Sequence, residues 1–262
     1  TYAAGELRLT LRQNIVIPFV KEALIPFFYT ELKKLGFTEL GYNKAVDITA
    51  CPGTDTCNLG ISSSTGIARE LENIIKSEYP QYLNNKDLVI KISGCMNACG
   101  QHNMANIGFQ GMSIKTKNNL VAPALQVLLG GGNLGDGNGR FADKVIKIPS
   151  KRGPEALRYI LDDFEQNSEQ DTFYEYYTIQ GEKYFYNLLK NLSDSTNLSA
   201  DEYIDWGSKQ AYVKAIGIGE CAGVVIDLIA TLFLESDEKI MNARSDYESK
   251  AYNNAIYFAY SS

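Results

Sequence analysis

Positive charge is in short supply. The 262 residues carry 25 Lys and Arg against 31 Asp and Glu, a formal net charge of −6, which argues against nucleic acid as a partner. No run of about 18 apolar residues occurs, so no membrane-spanning helix is expected. Nothing at the N-terminus has the pattern of a secretory signal, and a chain of this size needs no covalent staples. The five cysteines are therefore not read as a disulfide framework, and the expected compartment is the cytoplasm. The glycine-rich stretch from Gly130 to Gly139 lacks a GK[ST] ending and runs into no immediate helix, which sets aside a Walker nucleotide site. Histidine is reduced to one residue, His102, which follows a cysteine loop and is read as structural in preference to a proton donor.

With 45% hydrophobic residues, the chain can bury a sizeable core and is long enough for two domains. Residues 1–165 hold 18 basic and 16 acidic side chains, whereas residues 166–262 hold 7 and 15 together with 11 of the 17 tyrosines. That asymmetry marks a compositional boundary near residue 166.

Four of the five cysteines form two close pairs, Cys51/Cys57 as C-x5-C and Cys95/Cys99 as C-x3-C. The span between the pairs has room for a helix and a strand. Two thiols on each of two loops suit a sulfur cage, which can hold an iron–sulfur cluster or zinc. A five-residue gap is unusual in a zinc knuckle, so spacing favours the cluster and leaves structural zinc open. Cys221, on the apolar stretch from Ile216 to Leu234, is read as a small core residue outside the metal site.

The flanking residues extend the pattern. Cys51 to Gly60, followed by Ser62-Ser63-Ser64-Thr65-Gly66-Ile67-Ala68-Arg69-Glu70, resembles the first cluster loop of sirohaem-containing nitrite and sulfite reductases. Gly94-Cys95-Met96-Asn97-Ala98-Cys99-Gly100-Gln101, continuing through Ala105 to Gly111, resembles their second. The resemblance implies that Cys51, Cys57, Cys95 and Cys99 ligate a [4Fe-4S] cluster. It implies further that Cys99 also bridges to the sirohaem iron, with Asn97 against the macrocycle or the cluster. Where the family usually has proline after the third cysteine this chain has Met96, which restores an N–H and frees φ without removing a ligand. Gly5 to Asn14 resembles a strand that lines the tetrapyrrole cavity in the same family, which makes Arg12 and Asn14 candidates for contact with cofactor carboxylates.

In order along the chain, Glu6 to Ile17 alternates as a half-buried strand, with Leu7, Leu9 and Leu11 on one face. Helices are expected over Pro26 to Lys34, Ser62 to Ser77 and Pro154 to Asp163. Strands are expected over Val46 to Thr49, Asp87 to Ser93, Ala105 to Lys115 and Val121 to Leu129, the last two joined by a turn at Asn118-Asn119. The glycine-rich stretch is read as a flexible loop or a surface turn. Beyond Phe173 the periodicity predicts helices over 173–191, 201–216, 219–234 and 246–260. The fold class is α+β, a mixed sheet with packed helices like half of a nitrite/sulfite reductase, followed by an all-α bundle. The expected domains are a half-domain segment (1–42), a sirohaem/[4Fe-4S]-binding domain (43–165) and a helical bundle of no assigned role (166–262). The bundle faintly resembles HEPN-like helical domains but lacks their R-x4-H signature, so no nuclease activity is expected.

The resemblance covers roughly residues 5–165 and only the second half of a pseudo-twofold enzyme. The chain opens on Thr rather than Met. The expected function is part of a six-electron nitrite or sulfite reductase, fed by ferredoxin, a flavoprotein or another NAD(P)H-linked donor. The chain on its own is expected to be inactive and could lack either cofactor. The alternatives are a non-catalytic [4Fe-4S] electron-transfer module and a structural zinc domain.

Overall fold

The computed structural model describes residues 5–116, 120–213 and 236–261. It divides into one compact unit through Ile216 and a second from Gly217 onward.

The first unit opens with a hairpin of β1 (Arg8–Leu9) and β2 (Ile15–Val16), paired antiparallel. The half-buried strand expected here is not realised: Leu7, Leu9 and Leu11 are 67%, 84% and 83% exposed. The alternation is present, but two strands of two residues carry no second layer to cover the leucine face. Helix α1 (Ile25–Lys34) begins with proline in its first turn, ends at Gly36 in the left-handed region, and has no buried side chain.

The centre is a five-stranded mixed sheet in the order β3 (Thr49–Ala50), β4 (Ile90–Ser93), β5 (Ile107–Lys115), β6 (Val121–Leu129), then the strand Asp143–Pro149. β3, β4 and β5 are parallel neighbours, and the remaining pairings are antiparallel. Such a parallel step needs a crossover, and α2 (Ser64–Glu78) supplies it between β3 and β4. Ile67, Ala68, Leu71, Ile74 and Ile75 repeat at helical spacing and are all buried. Ser63 caps the helix by accepting from Gly66 N at 3.2 Å. The turn expected at Asn118-Asn119 lies outside the described residues.

The glycine-rich stretch is more ordered than a surface turn. It forms a second hairpin of β7 (Gly132–Gly135) and β8 (Asn138–Arg140). Its two-residue turn, Asp136-Gly137, has φ of 51° and 78°, the conformation that an Asp-Gly pair favours between twisted strands. Arg140 then ties the hairpin back, with Nη1 donating to Gly130 O and Nη2 to Asp143 Oδ2, both at 2.6 Å. Strand β9 (Asp143–Pro149) closes the sheet and leads into α3 (Gly153–Asn167), which packs against α2.

The helix predicted over 173–191 is broken into α4 (Phe173–Gln180) and α5 (Glu182–Leu189). Gly181 sits between them at φ 77°, ψ 168°, a conformation open to glycine and incompatible with a continuous helix. Phe173, Tyr176, Tyr177, Phe185 and Leu189 join the core shared by the sheet, α2 and α3. The helix predicted over 201–216 is also absent among its described residues. Residues Ala200–Tyr203 form one 3-10 turn, and Ile204 then bridges to Ala211 in antiparallel fashion. The segment predicted over 219–234, with Cys221, lies outside the described residues. In the second unit, helix α6 over 236–248 is followed by α7 (Tyr252–Ser261), the break falling at Lys250 with φ 66°.

Candidate metal centre

Both cysteine loops leave the same end of neighbouring parallel strands. Thr49 is paired with Lys91 and Ala50 with Ile92, so Cys51 and Ser93 come next on the two chains. Cys51 continues the ladder, its N–H donating to Ile92 O at 3.2 Å. The first loop then turns through Gly53–Asp55, and Cys57 N donates to Gly53 O at 3.0 Å.

Gly94 fastens the loops together. Its N–H donates to Cys51 Sγ at 3.1 Å across 43 positions of sequence. Its carbonyl accepts from Ile61 N at 2.8 Å and Ser62 N at 3.1 Å. The approach leaves no room for a side chain, since a Cβ on Gly94 would lie 2.7 Å from Gly53 Cα and 2.8 Å from Ser62 O. An N–H aimed at sulfur is the kind of outer contact that orients a metal-ligating cysteine.

The second loop folds back over the end of β4. Gly100 N donates to Ser93 Oγ at 3.0 Å, and a Cβ on Gly100 would collide with Ile92 O. Ala98 and Gln101 lie in the left-handed region, φ 58° and 57°, bracketing Cys99. Each costs about 1 kcal/mol in a non-glycine residue. The turn is held by Gln101 N donating to Ala98 O at 2.7 Å and by Lys91 Nζ donating to Gln101 Oε1 at 2.6 Å. Lys91 is nearly buried, and burial together with the nearby Arg12 charge lowers its pKa.

The four thiols differ in access. Cys51 and Cys95 are buried, Cys57 is partly covered and Cys99 is exposed, and no disulfide joins any of them. Asn97 and Met96, between the second pair, both face outward. Among the described residues no three Cys, His, Asp or Glu side chains converge closely enough to share one ion. Mononuclear zinc needs its ligands within about 2.0–2.3 Å of a single atom. A four-iron cluster gives each thiolate its own iron, so its sulfurs stand further apart. The four thiols stand on two loops that are fastened to one another through Gly94.

Arg12 and Asn14 differ in their surroundings. Asn14 Nδ2 donates to Asp47 Oδ2 at 2.9 Å and to Arg12 O at 3.2 Å, so its amide group braces the hairpin. Arg12 lines a cleft of about 500 Å³ with Lys86, Lys91, Asn106 and Glu175. His102 is buried, with Nδ1 lacking a partner, and burial and the Lys144 charge push its pKa down to about 4. It is uncharged near neutrality and poorly suited to deliver a proton.

Three residues at the site escaped the sequence reading. Gln13 bonds Ala50, directly before Cys51. Asp205 and Tyr212 reach the first cysteine loop from far along the chain. Gln13 stood between two candidates and had a local signal; the other two had none.

The profile of the nitrite and sulphite reductase 4Fe-4S domain matches residues 41–177. A chloroplastic ferredoxin–nitrite reductase of Betula pendula is 30% identical over 132 residues, half of this chain and 22% of that protein. One of the subunits of an anaerobic sulfite reductase of Salmonella typhimurium is 28% identical over 131 residues, 43% of this chain and 36% of that one. The chain thus spans about a quarter to a third of these relatives. Among solved structures, the NirA protein of Mycobacterium tuberculosis superposes with a TM-score of 0.56 at 23% identity, covering 68% of this chain and 33% of that one. A likeness at that identity concerns the fold: the mixed sheet with its packed helices.

Proposed function

The chain belongs to the nitrite and sulphite reductase 4Fe-4S domain family, and from that premise we propose that Cys51, Cys57, Cys95 and Cys99 hold a [4Fe-4S] cluster serving sirohaem-dependent reduction of nitrite or sulfite. When bound, the cluster supplies single electrons and the sirohaem a metal on which a small oxyanion is held. The observation that carries this reading is Gly94, whose N–H and carbonyl join both cysteine loops at the ends of two adjacent parallel strands.

The residues divide the work by position. Cys51 and Cys95 are the buried anchors, and Gly94 N–H orients the Cys51 sulfur. Cys99, exposed and next to the left-handed Ala98, is the thiolate that would serve the second cofactor, with Asn97 beside it. Arg12 offers its guanidinium to cofactor carboxylates from the cleft it shares with Lys91. Asn14 contributes by holding that hairpin to Asp47. Residues 43–165 carry the cluster chemistry, residues 1–42 supply the hairpin, and residues 166–262 have no assigned role. The electron donor is a ferredoxin or a flavoprotein.

Catalysis needs more protein than this chain. It spans 22% of the Betula relative, and an anionic substrate requires cationic side chains gathered around it. By itself the chain acts as an electron-transfer module, inactive toward nitrite and sulfite. The test is anaerobic reconstitution of the 262-residue chain with ferrous iron and sulfide, followed by iron and labile-sulfide analysis and, after reduction with dithionite, electron paramagnetic resonance. Equal amounts of iron and sulfide with a cluster spectrum are expected. Tight zinc binding without labile sulfide overturns the reading, and steady nitrite or sulfite reduction by the chain alone overturns the claim of inactivity.

A further inference from the structure

The family match ends at residue 177, yet a segment beyond it returns to the first cysteine loop. Residues 199–213 are anchored beside the end of the sheet. Ser199 and Glu202 form a reciprocal cap, and Arg152 Nε donates to Glu202 Oε1 at 2.6 Å. Arg152 Nη1 also donates to Leu192 O at 2.9 Å and Asp194 O at 2.7 Å. Tyr212 N donates to Tyr203 O at 2.7 Å, closing the segment into a loop.

From that anchorage two side chains reach inward. Asp205 is 6% exposed, and its Oδ2 accepts from Ser63 N at 2.8 Å across 142 positions. Its Oδ1 accepts from Trp206 N at 2.9 Å. Tyr212 Oη donates to Ile61 O at 2.7 Å across 151 positions. Trp206 lies against Gly66, where a Cβ would come within 2.6 Å of Trp206 Cβ, and its Nε1 donates to Ser150 O at 3.1 Å. Ile61 is thus held on one side by Gly94 O through its own N–H and on the other by Tyr212 through its carbonyl. Gly60, next to it, bonds Cys57 O at 2.9 Å.

We infer that Asp205 and Tyr212 are positioning residues for the cluster, bracing the Gly60–Ser63 turn and through it Cys57. The inference rests on the cluster reading above. Cys57 is the partly covered member of the first pair, and Gly60 N bonds its carbonyl, so the brace sets how long its sulfur stays in place. Asp205 has a second effect. Burial raises its pKa, while the Ser63 and Trp206 N–H groups and the Lys151 charge favour the ionised form; as a carboxylate beside the ligand loop it opposes the added negative charge of the reduced cluster and holds the potential down.

The experiment uses the reconstituted 262-residue chain and the variants Asp205→Asn, Asp205→Ala and Tyr212→Phe. Tyr184→Phe, which loses one hydroxyl in the aromatic cluster of α4 and α5, is the control. Two quantities are read: the rate of cluster bleaching in air, and the midpoint potential in a dithionite titration that delivers one electron per cluster. Bleaching is expected to be about tenfold faster in Asp205→Ala and about threefold faster in Tyr212→Phe. Asp205→Asn keeps an oxygen for Ser63 N–H, so it restores most of the lifetime while moving the potential positive. Wild-type chain that takes up no iron or sulfide overturns the cluster reading and this inference with it. A loaded wild type whose Asp205 and Tyr212 variants match Tyr184→Phe in both readouts overturns this inference alone.

Discussion

Gln13 holds Ala50 by both ends of its amide: Nε2 donates to Ala50 O at 2.6 Å and Oε1 accepts from Ala50 N at 3.3 Å. A side chain here copies the two bonds that a neighbouring strand would make to β3, at the open edge of the sheet, one residue before Cys51. Gln13→Ala removes both bonds and frees the edge. The expected cost is about 1–2 kcal/mol in urea unfolding, with a lower iron content after reconstitution. Gln13→Glu loses the donor and sets a carboxylate against Ala50 O, so it is expected to be no better than alanine. Wild-type stability and loading in both variants would show the pair to be incidental.

The cysteines separate ligation from packing. Cys99 is exposed, so Cys99→Ser is expected to change the stability of the metal-free chain by less than about 0.5 kcal/mol while losing the cluster spectrum. Cys95→Ser places a hydroxyl in a buried site and is expected to cost about 1–3 kcal/mol as well. Metal-free melting curves and iron analysis on the two variants check the contrast. A Cys99→Ser chain with full iron and sulfide and an unaltered spectrum removes Cys99 from the ligand set.

His102 makes stability depend on pH. Its pKa falls from 6.5 to about 4 on folding, by burial first and by the Lys144 charge second. Between those values the unfolded chain binds more protons, so unfolding becomes easier as pH falls. The contribution is fully present above about pH 6.5 and is lost toward pH 4, reaching about 3 kcal/mol at most. Denaturant midpoints at pH 7 and pH 4.5 should converge in His102→Gln more than in wild type. An equal pH slope in both chains contradicts this account.

Asp163 is the hub of the α3–α4–α5 packing. Tyr176 Oη donates to its Oδ2 at 2.8 Å, while Tyr184 Oη at 2.7 Å and Asn167 Nδ2 at 2.8 Å donate to its Oδ1. Asp163→Ala strands three donors beside the aromatic cluster. An expected loss of about 2–4 kcal/mol follows, since bonds to a charged acceptor are among the stronger ones. Tyr184→Phe removes the bond to Asp163 and a long one from Tyr176 Oη at 3.5 Å, at a half-buried rim, and is expected to cost about 1 kcal/mol. Thermal unfolding of the two variants gives the comparison.

Much of the first unit was legible because its patterns are local. Val121 to Leu129 appears with the expected bounds, and α2 starts within two residues of its predicted position because a serine run gives a cap signal and the isoleucine–leucine face has a helical period. The cysteine loops were visible in their spacing and in the residues that flank them. What was not visible is what holds them. Gly94 reads as one more glycine until its carbonyl is seen between Ile61 and Ser62. Asp205 reads as one more acid in an acidic tail, and no local signal ties it to Ser63. Helical periodicity over 201–216 was overridden by long-range bonds from Asp205, Trp206 and Tyr212, and a single glycine, Gly181, cut the helix over 173–191. The leucine alternation in Glu6 to Ile17 was real, but alternation reports which face is apolar and says nothing about whether anything covers it.

The adjacency of β3 and β4 bears on timing as well as geometry. Cys51 Sγ and Gly94 N meet only after a 43-position crossover has closed, and parallel pairings of that reach are among the slower steps in reaching a native chain. The thiol pairs therefore spend the early life of the polypeptide apart, open to air and to stray metals. Iron delivered before the crossover closes finds two loose dithiols, whereas iron delivered afterwards finds a finished cradle. In a refolding series with iron and sulfide added at successive delays, the yield of cluster should rise with the delay.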